Sequence, residues 1–208
     1  LDALNLLNGD LKVFFEANNG REPLFIYWVS AFVAVLGRTP WAIRLPAAFA
    51  GVLTLAATYD LGRTLFSRRM GRWTLAILTV TLWHVHLSRV GYRAVLLPLL
   101  SALFLAQAAR GLRSQRLEHW AAAGLGYGLS WYTYSAVRVT PLALAGLCLY
   151  GLVKDRAILR HHGKGALTFC LVGLLVLSPL GLYTATHPEV VLARPGQVSV
   201  FSDTINHG

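Results

Sequence analysis

Charge is scarce in this chain of 208 residues, and negative charge scarcest. Nine Asp and Glu stand against 19 Lys and Arg, and charged residues together make up 13% of the chain. A soluble domain is about one-quarter charged. With 55% hydrophobic residues and a mean hydropathy of +0.53, the chain lacks the polar surface a water-soluble fold of this size needs. Cysteine is also scarce. Cys148 and Cys170 both fall inside apolar runs, where they are expected as small core residues and not as a disulfide framework. No Cys or His spacing fits a zinc template, and there is no P-loop, no Ser-His-Asp order, no repeat of fixed period and no low-complexity tract. No Met precedes Leu1 and no signal peptide is visible, so the chain is expected to be an internal piece of a longer protein.

What is present is a series of long apolar runs. They lie at about 42–62, 73–88, 94–109, 119–137, 139–153 and 165–186. Several are shorter than the roughly 20 residues a span needs, a shortfall that flanking arginines offset by snorkelling. Because backbone polar groups in lipid must be satisfied within the segment, helices are expected. The fold class that follows is an all-α membrane protein, a multi-spanning bundle of about six helices over 41–186. Ahead of it, Leu1, Leu4 and Leu7, with Ala3, fit a short amphipathic helix that Asn8-Gly9-Asp10 ends, and Asn18-Asn19-Gly20 is expected as a turn. The uncharged stretch 23–37 suits an interfacial or re-entrant helix, or a tilted span, with Tyr27 and Trp28 at headgroup level. Residues 1–40 are therefore expected to form part of an external loop, and 187–208 the start of another.

The basic residues are not spread evenly. Arg63, Arg68, Arg69 and Arg72 follow the first run, Arg110, Arg113 and Arg116 the third, and Lys154, Arg156, Arg160 and Lys164 the fifth. The gaps between hold only Arg89, Arg93 and Arg138. The positive-inside rule puts the rich gaps in the cytoplasm and the poor ones outside. A pI near 10.2 therefore reflects topology and not a nucleic-acid-binding face. Gly124, Gly126 and Gly128 allow close helix packing.

The outside face collects Glu16, Arg21, Glu22, Arg89, Tyr92, Arg93, Tyr132, Tyr134, Arg138, His187, Glu189 and Arg194. Arginines there run against the charge bias, and a lipid-linked phosphate would give them a reason, since the guanidinium fork matches phosphate oxygens. Arg89 and Arg93 are four apart and on one helix would face one phosphate. Tyr92, Trp131, Tyr132 and Tyr134 either stack on a sugar ring or form the outer aromatic belt. A general base at this surface would be Asp or Glu, and Glu16 and Glu22 are the nearest. His84 and His86 point about 200° apart on a helix, which is poor for shared ligation, though two histidines near a span end also invite a polar-network reading. His161 and His162 are expected to be solvated, and Asp60 to pair locally with Arg63.

Taken in order, the phrases LDALNLLNGD, NNGREPLFIYW, AIRLPAAFAGVLTL, LGRTLFSRRMG, HVHLSRVGYRAVLLPLL, YTYSAVRVTPL and HPEVVLARPGQVSVF resemble bacterial membrane glycosyltransferases of family 39. That group belongs to the GT-C superfamily and includes the protein O-mannosyltransferases and the aminoarabinose transferases of lipid A. The resemblance implies a GT-C bundle with juxtamembrane helices in the first external loop. It implies sugar transfer, usually with inversion, from a polyprenyl-phosphate donor to a glycan, lipid or protein acceptor at the outer face of the cytoplasmic membrane. It also implies a carboxylate base in the first external loop. The family's Asp-Glu pair is expected upstream of Leu1, which leaves Glu16 and Glu22 as the candidates within the chain. Arg21 takes the place of the family's basic residue that contacts the carrier phosphate, while Glu22 stands where a proline is usual. Many relatives carry an Asp shortly after the arginine that matches Arg89, where this chain has Arg93 and Ala94. On this reading Arg21, Arg89, Arg93 and Arg138 hold the donor phosphate and Tyr92, Tyr132 and Tyr134 line a sugar or lipid groove. The residues assign no cofactor, and the need for a divalent cation varies within the family. The rival readings are a transporter or flippase of a lipid-linked substrate and a non-catalytic membrane scaffold.

Overall fold

The computed structural model describes residues 2–9, 11–15, 21–154 and 158–187, and among them there is no β-strand, only an isolated antiparallel bridge between Phe15 and Arg21. The helices are α1 (Asp2–Leu7), α2 (Leu24–Leu36), α3 (Pro40–Leu65), α4 (Arg68–Val80), α5 (Leu82–Val90), α6 (Leu96–Ser114), α7 (Leu117–Ser130), α8 (Thr140–Lys154) and α9 (Ile158–Thr186). Short 3-10 turns at Arg93–Val95 and Ser135–Val139 precede α6 and α8. The chain is an all-α membrane helix bundle.

Among the described residues, four helical stretches are long and apolar enough to cross a bilayer: Pro40–Leu65, Arg93–Ser114, Ser135–Lys154 and His161–Thr186. The other two apolar runs are cut short. The run 73–88 is broken at Thr81, whose extended backbone (φ −70°, ψ 118°) ends α4 and starts α5. The run 119–137 leaves the helix at Ser130 and continues as a turn. At 13 residues, α2 is shorter than a span.

Local chemistry sets the helix ends. Thr39 caps α3, its hydroxyl accepting from the Ala42 N–H at 3.3 Å, with Pro40 in the first turn, where a missing N–H costs nothing. Ser67 caps α4 in the same way through the Met70 N–H at 3.2 Å. Gly91 closes α5 in the left-handed region at φ +79°.

Neighbouring helices follow the order α4, α3, α6, α7, α9, with α5 also against α3. Small residues let them approach. Ala47, Ala50, Ala57 and Ala102 are buried in the α3–α6 core beside Leu96 and Leu99. The glycine cluster of α7 packs as expected. A Cβ on Gly124 would lie 2.5 Å from the Phe169 carbonyl oxygen, and one on Gly128 would lie 2.7 Å from Val176 Cβ, both on α9. Gly126 turns the other way, toward Phe104 of α6. The outward faces of α8 and α9 are leucine-rich and bare, as a lipid-solvated surface would be. Cys148 and Cys170 lie there, free and exposed. The expectation that they sit in a core is corrected: in lipid an apolar run does not need a protein interior.

These contacts fix two ends of the bundle. One brings together Ile43, Gly91, Arg93 and the turn after α7. The other brings together Asp60, Arg63, Arg110, Arg113, Gln115 and His162. The stretch of α3 from Ile43 to Asp60 covers about 25 Å at the usual helical rise, close to the thickness of a bilayer core.

Candidate active site at one end of the bundle

Most of the sequence-derived site residues meet where the segment before α2 docks on the turn after α7. The Phe15–Arg21 bridge, with N···O distances of 2.7 and 3.1 Å, positions Arg21 and delivers Glu22 inward. Pro23 follows, and the Leu24 N–H donates to the Tyr132 carbonyl at 3.0 Å. Glu22 is buried by this docking.

Arg93 reaches Glu22 from the opposite side. It opens the 3-10 turn after Gly91, where an added Cβ would press within 3.1 Å of the Ile43 carbonyl oxygen. Arg93 Nη1 lies 3.2 Å from Glu22 Oε2, and both side chains are largely withdrawn from solvent. The contact is ionic but lacks hydrogen-bond alignment, and these two atoms have no hydrogen-bond partner among the described residues. The guanidinium carbon of Arg93 stands 5.5 Å from the Tyr134 ring centroid, within cation–π range. Tyr92 meets Tyr134 edge-on at 6.1 Å.

Arg21, beside this pair, reaches Asp2 of α1 at 3.5 Å. The Tyr132 hydroxyl donates to the Val176 carbonyl at 2.7 Å and ties the turn to α9. Burial raises the pKa of this phenol, against a smaller opposing effect of the backbone near Leu180, so it remains a donor at neutral pH. Beneath the turn, the buried hydroxyls of Ser130 and Thr133 each donate to a carbonyl three residues back at 2.6 Å.

Arg21, Glu22, Tyr92, Arg93, Tyr132 and Tyr134 thus cluster. Arg89 and Arg138 are exposed and form no ion pair or hydrogen bond among the described residues. The expectation that Arg89 and Arg93 share one helical turn is corrected, because Gly91 ends α5 between them. Glu16, Glu189 and Arg194 lie outside the described residues, as does the Asn18-Asn19-Gly20 turn.

Histidine and acid contacts also differ from expectation. His162 is not simply solvated: its ring meets the Gln115 side-chain amide at 2.8 Å and faces Trp120. Asp60 does pair with Arg63, at 2.9 Å, but it also receives Arg110 from α6 on both carboxylate oxygens, at 2.6 and 2.5 Å. Sequence reasoning missed Asp2 and Arg110 because each pairs across the fold. Their one visible signal was an acid in the first turn of an amphipathic helix and a basic residue near a helix end. Among the described residues no group of three or more His, Cys, Asp or Glu comes together as a metal site.

One end of this helical membrane bundle thus gathers arginines, a carboxylate and tyrosines. Residues 21–183 match the dolichyl-phosphate-mannose-protein mannosyltransferase family, and the chain belongs to it. It is thus a membrane glycosyltransferase of the type served by a lipid-linked sugar donor. The matched stretch begins at Arg21 and takes in Arg93 and the Tyr132–Tyr134 turn. No curated protein and no solved structure matches the chain.

Proposed function

We propose that the chain moves a sugar from a polyprenyl-phosphate donor to an acceptor at the outer face of the cytoplasmic membrane. The observation that carries this reading is the Glu22–Arg93 pair: a buried guanidinium and a buried carboxylate in contact, flanked by Tyr134 and next to Arg21. The rich and poor basic gaps support the orientation, with the Glu22–Arg93 end outside.

In the reaction, the acceptor oxygen attacks the anomeric carbon, a new C–O bond forms and the bond from that carbon to the donor phosphate oxygen breaks. The acceptor proton passes to a carboxylate, and the bonding electrons leave with the polyprenyl phosphate. Arg21 and Arg93 stabilise the charge that builds on the phosphate, with Arg89 and Arg138 drawn in from the exposed rim. Tyr92, Tyr132 and Tyr134 line the sugar or lipid groove. A phosphate that binds Arg93 competes with Glu22 for the same guanidinium. Donor binding would then free Glu22 to act as a base, should no other carboxylate of the first external loop take that part.

The test is sugar transfer by the full-length protein from a polyprenyl-phosphate donor in proteoliposomes. Formation of glycosylated acceptor with release of polyprenyl phosphate is the expected result. Accumulation of intact donor in the opposite leaflet without any covalent product would replace this reading by a flippase.

A further inference from the structure

The opposite end of the bundle holds a second concentration of positive charge that glycosyl transfer does not use. An open cavity of about 370 Å³ is lined by Arg63, Arg68, Arg110 and Arg113, with Thr64, Ser114 and His119. Among the described residues no carboxylate lines it. Asp60, which reaches this group, is already engaged by Arg63 and Arg110, and Glu118 is taken by Arg116 at 3.1 Å. Four guanidiniums around one cavity repel each other, and an anion placed among them relieves that repulsion.

The arginines are also held in position. Asp60 fixes Arg110 through one nitrogen and Arg63 through Nε, and the Leu65 carbonyl holds Arg113 Nη2 at 3.0 Å. Each guanidinium carries five N–H donors, so these contacts orient the forks and leave most donors unused. Arg68 is exposed and makes no ion pair or hydrogen bond among the described residues. It opens α4, whose N-terminal end adds partial positive charge at the same place.

The surroundings specify the kind of anion. Phe66 lies between the cavity residues Thr64 and Arg68 in the chain, and Leu112 adjoins Arg113. Both are exposed, Phe66 to 70%. A free phosphate gains nothing from apolar neighbours, whereas acyl chains pack against them. We propose that this cavity binds the phosphate of an anionic phospholipid headgroup, with the acyl chains lying along Phe66 and Leu112.

The test uses the full chain in nanodiscs of phosphatidylcholine doped with phosphatidylglycerol, with lipid retention read by native mass spectrometry. Wild type is expected to retain phosphatidylglycerol over phosphatidylcholine. Arg68→Gln combined with Arg113→Gln is expected to weaken this about tenfold or more, the order set by losing two charge-assisted hydrogen bonds. Arg38→Gln, which removes one charge at the other end of the bundle as Arg68→Gln does at this one, is expected to retain it. Arg68→Gln alone guards against misfolding, because that exposed side chain holds nothing in place, and it should show a smaller loss in the same direction. Equal retention by wild type and both Arg68 variants overturns the site, as does an equal loss in Arg38→Gln. Displacement of the lipid by millimolar inorganic phosphate, with the phosphate itself binding in phosphatidylcholine discs, overturns the lipid assignment in favour of a free anion.

Discussion

Glu22 and Arg93 meet at 3.2 Å although α2, α3, α4 and α5 all lie between them in the chain. Their contact joins the segment before α2 to the turn that opens α6, so folding and the proposed chemistry depend on the same pair. Removing one member leaves the other charged, buried and unmatched. Glu22→Gln and Arg93→Met are each expected to destabilise the bundle by about 3 kcal/mol. The double variant should be more stable than the sum of the two predicts, and denaturation in mild detergent measures this as a double-mutant cycle.

The exposed arginines should behave differently. Arg89→Ala and Arg138→Ala remove no ion pair or hydrogen bond among the described residues, so melting temperatures should stay within about 1–2 °C of wild type. Arg21→Ala loses a 3.5 Å contact to Asp2, its one side-chain ion pair among the described residues. If these side chains hold the donor phosphate, each substitution should slow transfer about 10- to 100-fold, the order set by one charge-assisted hydrogen bond. Unchanged rates for Arg89→Ala and Arg138→Ala would leave phosphate binding to Arg21 and Arg93.

Close packing of α7 on α9 gives a prediction independent of chemistry. Gly124→Ala would put a methyl 2.5 Å from the Phe169 backbone oxygen, an atom that moves only if the helices separate. A loss of about 1–3 kcal/mol is expected. Gly146→Ala on α8 meets nothing within 4 Å and should be neutral or stabilise by up to about 1 kcal/mol. Thermal unfolding of the two variants side by side checks the contrast.

At the other end, Asp60 bridges α3 and α6 by holding Arg63 and Arg110 together. Asp60→Asn keeps the shape but removes the charge, leaving the two guanidiniums to repel each other. Destabilisation of about 1–3 kcal/mol is expected, partly restored by Arg110→Gln in the same chain.

Orientation has its own measurement. With Cys148 and Cys170 replaced by Ser, single cysteines at Arg68 and Arg113 should react with an impermeant thiol reagent only from the cytosolic side. One at Ala136, exposed beside the Tyr134 turn, should react only from outside. The reverse pattern would remove the proposed outer-face reaction.

What could be read from the sequence was whatever depends on composition and local order. Scarce charge and long apolar runs set the helical membrane class, because lipid solvates apolar side chains while backbone groups must pair within their own helix. The alternation of basic gaps divided the chain into two faces, and the arginines of Asp60's end do sit apart from Arg93. Gly124, Gly126 and Gly128 announced close packing. The left-handed break at Gly91 was less legible: four-residue spacing placed Arg89 and Arg93 on one face, and a glycine between them decided otherwise.

Everything that joins distant segments was settled by tertiary structure. The four-residue spacing of Arg89 and Arg93 says nothing of Glu22. The local pairing of Asp60 with Arg63 hides Arg110, and Asp2 gives no sign of Arg21. A pairing across helices depends on which ends the packing brings together, and that is set by small residues such as Ala47 and Gly124 far from the charges themselves. Periodicity therefore determined what each segment is, whereas the burial of Glu22 against Arg93 follows only once the helices have closed around them.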